Sequence, residues 1–151
     1  MDEFKPDSPT NFSLPTNQSW LKEKIISTLE NIPANNPEKI PIIIEGNEIW
    51  KDREEGVCLD PSRPGIVLAY CQLANVSDIE KAITFSKETA TTQWDNDSKY
   101  RDQIFSQVAV ELKKARAELI SYGLMNVGKS VLDLDAEVSE AIDFTDYYPR
   151  V

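Results

Sequence analysis

Residues 123–130, GLMNVGKS, put Gly123, Gly128, Lys129 and Ser130 on the fixed positions of the phosphate-loop pattern G-x-x-x-x-G-K-[ST]. That chemistry needs a buried strand leading into a helix N-terminus. Backbone amides then converge on phosphate, and the lysine neutralises it. The flanking residues do not supply this scaffold. ELKKARAELISY, just before, has helical spacing and exposed charges, and Asp133, Asp135 and Glu137, just after, would repel phosphate. The spacing therefore predicts a helix end and a tight link into another helix. Lys129 is expected to be solvated or locally paired.

Other residue types that do chemistry are sparse. Glu137 and Glu140 lie three apart on one predicted helix face and offer paired carboxylates. With no histidine and no second carboxylate helix, no metal site is expected there. The absence of histidine also removes Ser-His and Cys-His nucleophile pairs. Cys58 and Cys71 form no disulfide framework or zinc set and read as two small buried thiols. Trp20, Trp50 and Trp94 sit at segment edges and are expected to pack as partly buried aromatics.

The elements that would position these residues follow from periodicity. Residues 1–18 hold three prolines and read as an extended arm. Leu21, Ile25, Leu29 and Ile32 predict a short amphipathic helix from Ser19 to Asn31, and NIPANNPEKIP breaks it. IPIII, the turn EGN and EIWK predict a strand pair. CLDPSRPG reads as a connection, and Ile66–Ala74 as a further strand. From Val76 the chain turns helical, with Ser77 and Glu80 as a capping box, and stops near TTQWDNDS. A long helix from Ser98 carries Ile104, Phe105, Val108, Leu112, Ala115 and Leu119, with Gly123 placed to end it. The last helix begins near Asp133. It sets Leu134, Val138, Ala141, Ile142, Thr145 and Tyr148 against an acidic face of Asp133, Glu137, Glu140 and Asp143.

The 151 residues suit one ordinary domain, and 40% hydrophobic with 28% charged residues is a globular composition. A net charge of -10 argues against nucleic acid and anionic membranes as partners. No apolar run reaches membrane-spanning length. The acidic N-terminus has no secretory pattern, so a cytoplasmic location is expected.

Taken in order, the segments resemble the N-terminal part of the aldehyde dehydrogenase superfamily. The matching positions are Asp60-Pro61, Asp78 to Ile83, Trp94, Arg101, Arg116 to Leu119, Gly128-Lys129 and Glu137 to Tyr148. The helix EAIDFTDYY and the arm residues Phe4, Thr10 to Pro15 and Asn17 resemble the branch that oxidises L-glutamate γ-semialdehyde, the 1-pyrroline-5-carboxylate dehydrogenases. That branch occurs alone or fused behind a proline dehydrogenase. Leu68-Ala69 and Pro149 depart from the pattern of many relatives.

The resemblance implies an α/β parent and an NAD-dependent oxidoreductase acting on a small aldehyde. The segment alone would be mixed α+β, with a small antiparallel strand group and four or five helices. It implies that residues 19–151 are an incomplete part of the cofactor-binding domain. The nucleophilic cysteine, the general-base glutamate and the NAD turn would lie downstream, so the bare chain would bind no cofactor and be inactive. Cys58 and Cys71 do not match the nucleophile motif. One role carries over: a glutamate on the last helix that meets the substrate's amino group, at the position of Glu140. A carboxylate suits that role because it accepts charge-assisted bonds from an ammonium. Homo-oligomer formation, or association through exposed apolar faces, is expected. Two other classes stand beside this one: a truncated, non-catalytic interaction or assembly module, and a small nucleotide hydrolase requiring magnesium.

Overall fold

The computed structural model describes residues 4–31, 37–89 and 97–150. An arm over residues 4–14 leads into α1 (Pro15–Asn31). The strands are β1 (Glu38–Ile40), β2 (Ile42–Ile44), β3 (Asn47–Ile49), β4 (Glu54–Leu59) and β5 (Val67–Leu73). Then come α2 (Val76–Thr89), α3 (Ser98–Lys114), α4 (Arg116–Val127) and α5 (Val131–Tyr147), closed by a 3-10 turn at Tyr148–Arg150. The architecture is mixed α/β, with five α-helices among the described residues.

β2 and β3 form the expected hairpin, with Ile42 opposite Ile49 and Ile44 opposite Asn47. Glu45 and Gly46 turn it with φ of 55° and 74°. Two consecutive positive values match the right-handed twist of a two-residue hairpin. The second sheet has the order β1-β5-β4. β4 runs antiparallel to β5, whereas β1 is parallel to it, with Glu38 beside Ala69 and Ile40 beside Cys71. The strand signals predicted neither β1 nor β4. Three residues are too few to show a period in β1. The Glu-Glu-Gly start of β4 has low strand propensity, and pairing with β5 overrides it.

The core lies among the helices. Leu21, Ala109, Ala117, Ile120, Leu134, Val138 and Ile142 form one buried cluster, with Phe12, Ile25, Leu112, Leu124 and Val131 packed against it. The helices differ from the sequence expectation at several points. α1 starts at Pro15, four residues early, because proline at a first turn lacks only an amide that has no helical partner there. α2 is capped by Asn75 and Asp78, not by Ser77 and Glu80. The Asp78 amide donates to Asn75 Oδ1 (3.0 Å), and the Asn75 amide donates to Asp78 Oδ2 (3.0 Å). The expected long helix is divided at Ala115 into α3 and α4. The break changes the buried stripe: Ala109 is buried while Ile104 and Val108 remain 37% and 41% exposed.

Gly123 does not end a helix. It lies inside α4, where a Cβ would stand 2.5 Å from Leu134 Cδ2, so its role is the close approach of α4 and α5. Gly128 ends α4 instead. Its φ of 71° is left-handed, and its amide donates to the Leu124 carbonyl at 3.2 Å. Trp20 and Trp50 are 41% and 44% exposed, more than expected, and Trp94 lies outside the described residues. Cys58 and Cys71 are half-buried free thiols rather than buried ones.

Candidate functional site

The α4–α5 junction carries both sequence motifs. Gly128 closes α4, and Ser130 opens α5 as its N-cap, accepting from the Asp133 amide at 3.2 Å. The Ser130 hydroxyl also donates to Asp133 Oδ2 at 2.6 Å. Lys129 pairs with the Glu137 carboxylate, which holds its ammonium above the ordinary lysine value. Both side chains that a phosphate loop would aim at nucleotide are thus engaged with carboxylates. The segment before the link is helix α4, with no strand feeding it. The local pairing expected for Lys129 is present, and the link does not fit a pyrophosphate.

The helix that follows is held from three sides. Asp135, 2% exposed, accepts from the Thr10 amide (2.6 Å), the Thr10 hydroxyl (2.7 Å) and Arg116 Nη1 (2.7 Å). Burial pushes this carboxyl up. The Thr10 hydrogen bonds and the Arg116 guanidinium together outweigh burial and hold it below its ordinary value. Arg116 also donates to Ser139 Oγ at 3.0 and 3.1 Å and pairs with Asp7. Lys113 Nζ meets Asp7 at 3.0 Å, and the Asp7 amide donates to Asp143 Oδ1 at 2.6 Å. Phe4 stacks edge-on against Tyr147, with centroids 5.3 Å apart. The arm is therefore strapped along α5 at both its ends.

Sequence reasoning missed this network. In the sequence Asp135 shows only a charge opposing phosphate, and Arg116 only a family position. The available signal was that Asp135 and Ser139 are four apart and adjoin the apolar positions Leu134, Val138 and Ile142. A carboxylate at the edge of a buried stripe needs a cation, and Arg116 begins the preceding helix.

Glu140 follows directly after Ser139, on the exposed side of α5. Among the described residues nothing hydrogen-bonds or ion-pairs with it. Its carboxylate keeps its acceptor capacity for a ligand, on a helix fixed by Asp135, Ser139 and Asp143. Glu137, by contrast, is committed to Lys129, so the two glutamates do not form an open pair. Elsewhere, Asp78 is completely buried and bonded by Arg53 Nε and Nη2 at 2.6 and 2.7 Å, which holds it near the sheet. That arrangement is structural.

Comparison with known proteins places this geometry in a family. The aldehyde dehydrogenase family model matches residues 50–151. The 1-pyrroline-5-carboxylate dehydrogenase of Staphylococcus haemolyticus is 27% identical over 149 residues, which is 97% of this chain and 28% of that protein. 1-Pyrroline-5-carboxylate dehydrogenase 2 of Halalkalibacterium halodurans is 26% identical over 148 residues, 97% of this chain and 28% of its own length. The structure of 1-pyrroline-5-carboxylate dehydrogenase from Thermus with bound NAD superposes with a TM-score of 0.88 at 24% identity, over 99% of this chain and 28% of that one. Proline utilization A from Bdellovibrio bacteriovorus gives 0.85 at 24% identity, over 98% of this chain and 15% of that one. This chain thus spans just over a quarter of the length of the curated relatives it matches.

Proposed function

This chain belongs to the aldehyde dehydrogenase family, and on that premise we propose that it is the N-terminal part of an NAD-dependent enzyme that oxidises L-glutamate γ-semialdehyde to glutamate. The observation that carries the substrate assignment is Glu140, an exposed carboxylate with no partner among the described residues, on a helix clamped by the arm and by Arg116. A substrate with a free α-amino group offers the matching ammonium, and the charge-assisted bond would orient it. Three of the four relatives named above are called 1-pyrroline-5-carboxylate dehydrogenases, which supports the reading.

This chain's contribution is scaffold and orientation. The Gly128–Ser130 link follows a helix and is engaged internally. The family resemblance assigns NAD and the nucleophilic and general-base residues to the remainder of the family's length, and the bare chain is expected to be inactive. The test is NADH production with the semialdehyde. The gene product carrying the whole family fold should produce it, and the purified 151-residue chain should not. Turnover by the bare chain overturns the division of labour.

A second reading, a non-catalytic assembly module, is supported by an apolar groove of about 380 Å³ that includes Phe12, Leu21, Ile25, Ile26, Val131 and Leu132. Leu132 there is 68% exposed. A natural protein of 17.1 kDa by intact mass would favour this reading, and a longer reading frame would favour the enzyme. No helix among the described residues is long and apolar enough to cross a membrane.

A further inference from the structure

Cys58 and Cys71 take no part in the proposed chemistry, yet the fold brings them together. They lie on adjacent antiparallel strands, where Cys58 is opposite Ala69 and Gly56 is opposite Cys71. This register puts both cysteines on one face of the sheet at adjoining diagonal positions. Gly56 makes the space between them. A Cβ at Gly56 would stand 2.9 Å from Cys71 Sγ, so that sulfur leans over the β4 backbone next to Cys58. Burial first, and the adjacent Cys71 thiol second, push the Cys58 thiol up. The strand register slips between Cys58 and Leu59. Such an irregularity bends a strand and re-aims its side chains. It provides the local freedom a diagonal pair needs to reach disulfide geometry, with Cβ atoms roughly 3.5–4.5 Å apart. Both residues are half-buried, so small oxidants have access.

We propose that Cys58 and Cys71 are an oxidisable dithiol that a hydroperoxide converts to an intrachain disulfide between β4 and β5. The Cys71 thiolate attacks one peroxide oxygen. An S–O bond forms, the O–O bond breaks, and the departing hydroxide is protonated to water (alkoxide to alcohol for an organic peroxide). Cys58 then gives up its proton and attacks the sulfenic sulfur. The S–S bond forms, the S–O bond breaks, and the hydroxide leaves with that proton as water. The two sulfurs together lose two electrons, and the peroxide gains them. Cys58 is the resolving residue because burial and its neighbour disfavour its thiolate. The bridge would fix the end of β4 that leads to Pro61. Pro61 itself abuts Gly128, where a Cβ would stand 2.9 Å from Pro61 Cγ.

The experiment treats the purified chain with equimolar hydrogen peroxide near pH 8, then counts thiols and maps peptides by mass spectrometry. The expected product has lost both thiols and two hydrogens of mass, carries a Cys58–Cys71 linked peptide, and reverts with dithiothreitol. C58S should stop at a sulfenic acid on Cys71 that dimedone traps. The yield of the linked peptide relative to overoxidised cysteine should fall by about tenfold or more in urea, because the folded strands hold the partners together. Sulfinic or sulfonic products, or interchain dimers without the linked peptide, overturn the proposal. So does an equal yield of the link in urea and in buffer.

Discussion

Replacing Asp135 with asparagine tests the clamp on α5. Asp135 is 2% exposed and accepts three hydrogen bonds, two from Thr10 and one from Arg116. Asparagine keeps the shape and removes the charge, leaving Arg116 short of one anion in a buried setting. Breaking a buried pair on one side costs about 3–5 kcal/mol. Arg116 keeps Asp7 and Ser139, so D135N should fall at the lower end, about 3 kcal/mol. For a domain of this size that corresponds to a fall in Tm of roughly 6–12 °C. T10V removes one hydroxyl bond to a charged acceptor and should cost about 1.5–2 kcal/mol. Because the two residues touch, the double variant should lose less than the sum of the single losses. Urea titration followed by circular dichroism measures all three, and an unchanged m confirms that only stability moved. Hydrogen exchange at the Thr10 amide should also rise in D135N. A loss below about 1 kcal/mol in D135N, with the Thr10 amide still protected, would refute the clamp.

Other outcomes follow from the same geometry. G128A forces a Cβ into a left-handed position against Pro61 and should cost about 1–2 kcal/mol. G123A drives one into Leu134 and should cost about 1–3 kcal/mol. Both are read by urea titration. K129A removes only an exposed pair with Glu137 and should leave the urea midpoint essentially unchanged; calorimetry should find no magnesium-dependent ATP binding before or after the change. The Arg53 bonds, with those of the Asn75 amide, hold the Asp78 carboxyl at about 2. Its folded value lies below the unfolded value of about 3.9, so its contribution is complete above that pH and is lost as pH falls towards about 2. D78N should flatten stability against pH in that window, and an unchanged acid limb would contradict the assignment.

The legible parts of the fold were those with a local signature. The β2–β3 hairpin was readable because β-branched Ile42–Ile44 precede a glycine turn. β5 was readable as a compact apolar run, and α5 from Leu134, Val138 and Ile142 at helical spacing. What escaped depends on partners distant in sequence. β1 exists because residues 38–40 meet residues 69–71. The division at Ala115 has no proline or glycine to announce it. GLMNVGKS offered two glycines, and helical spacing alone favoured the wrong one as the terminator. Only the approach of Leu134 explains why Gly123 is glycine within a helix. In the site, Glu140 was placed by family resemblance, and the chain's own periodicity showed only a solvated carboxylate. The straps that hold its helix, Thr10 to Asp135 and Asp7 to Asp143, span 125 and 136 residues and leave no periodic trace.

The central claim is that Glu140 receives the substrate's ammonium. Its most direct test compares kcat/KM for L-glutamate γ-semialdehyde with that for the same aldehyde lacking the amino group, in the full gene product and in its E140Q variant. A hydrogen bond to a charged group contributes about 1.5–3 kcal/mol. The amino substrate should therefore lose roughly 10- to 100-fold in E140Q, while the aldehyde without the amino group loses little. An equal loss for both aldehydes, or none for either, would contradict the account.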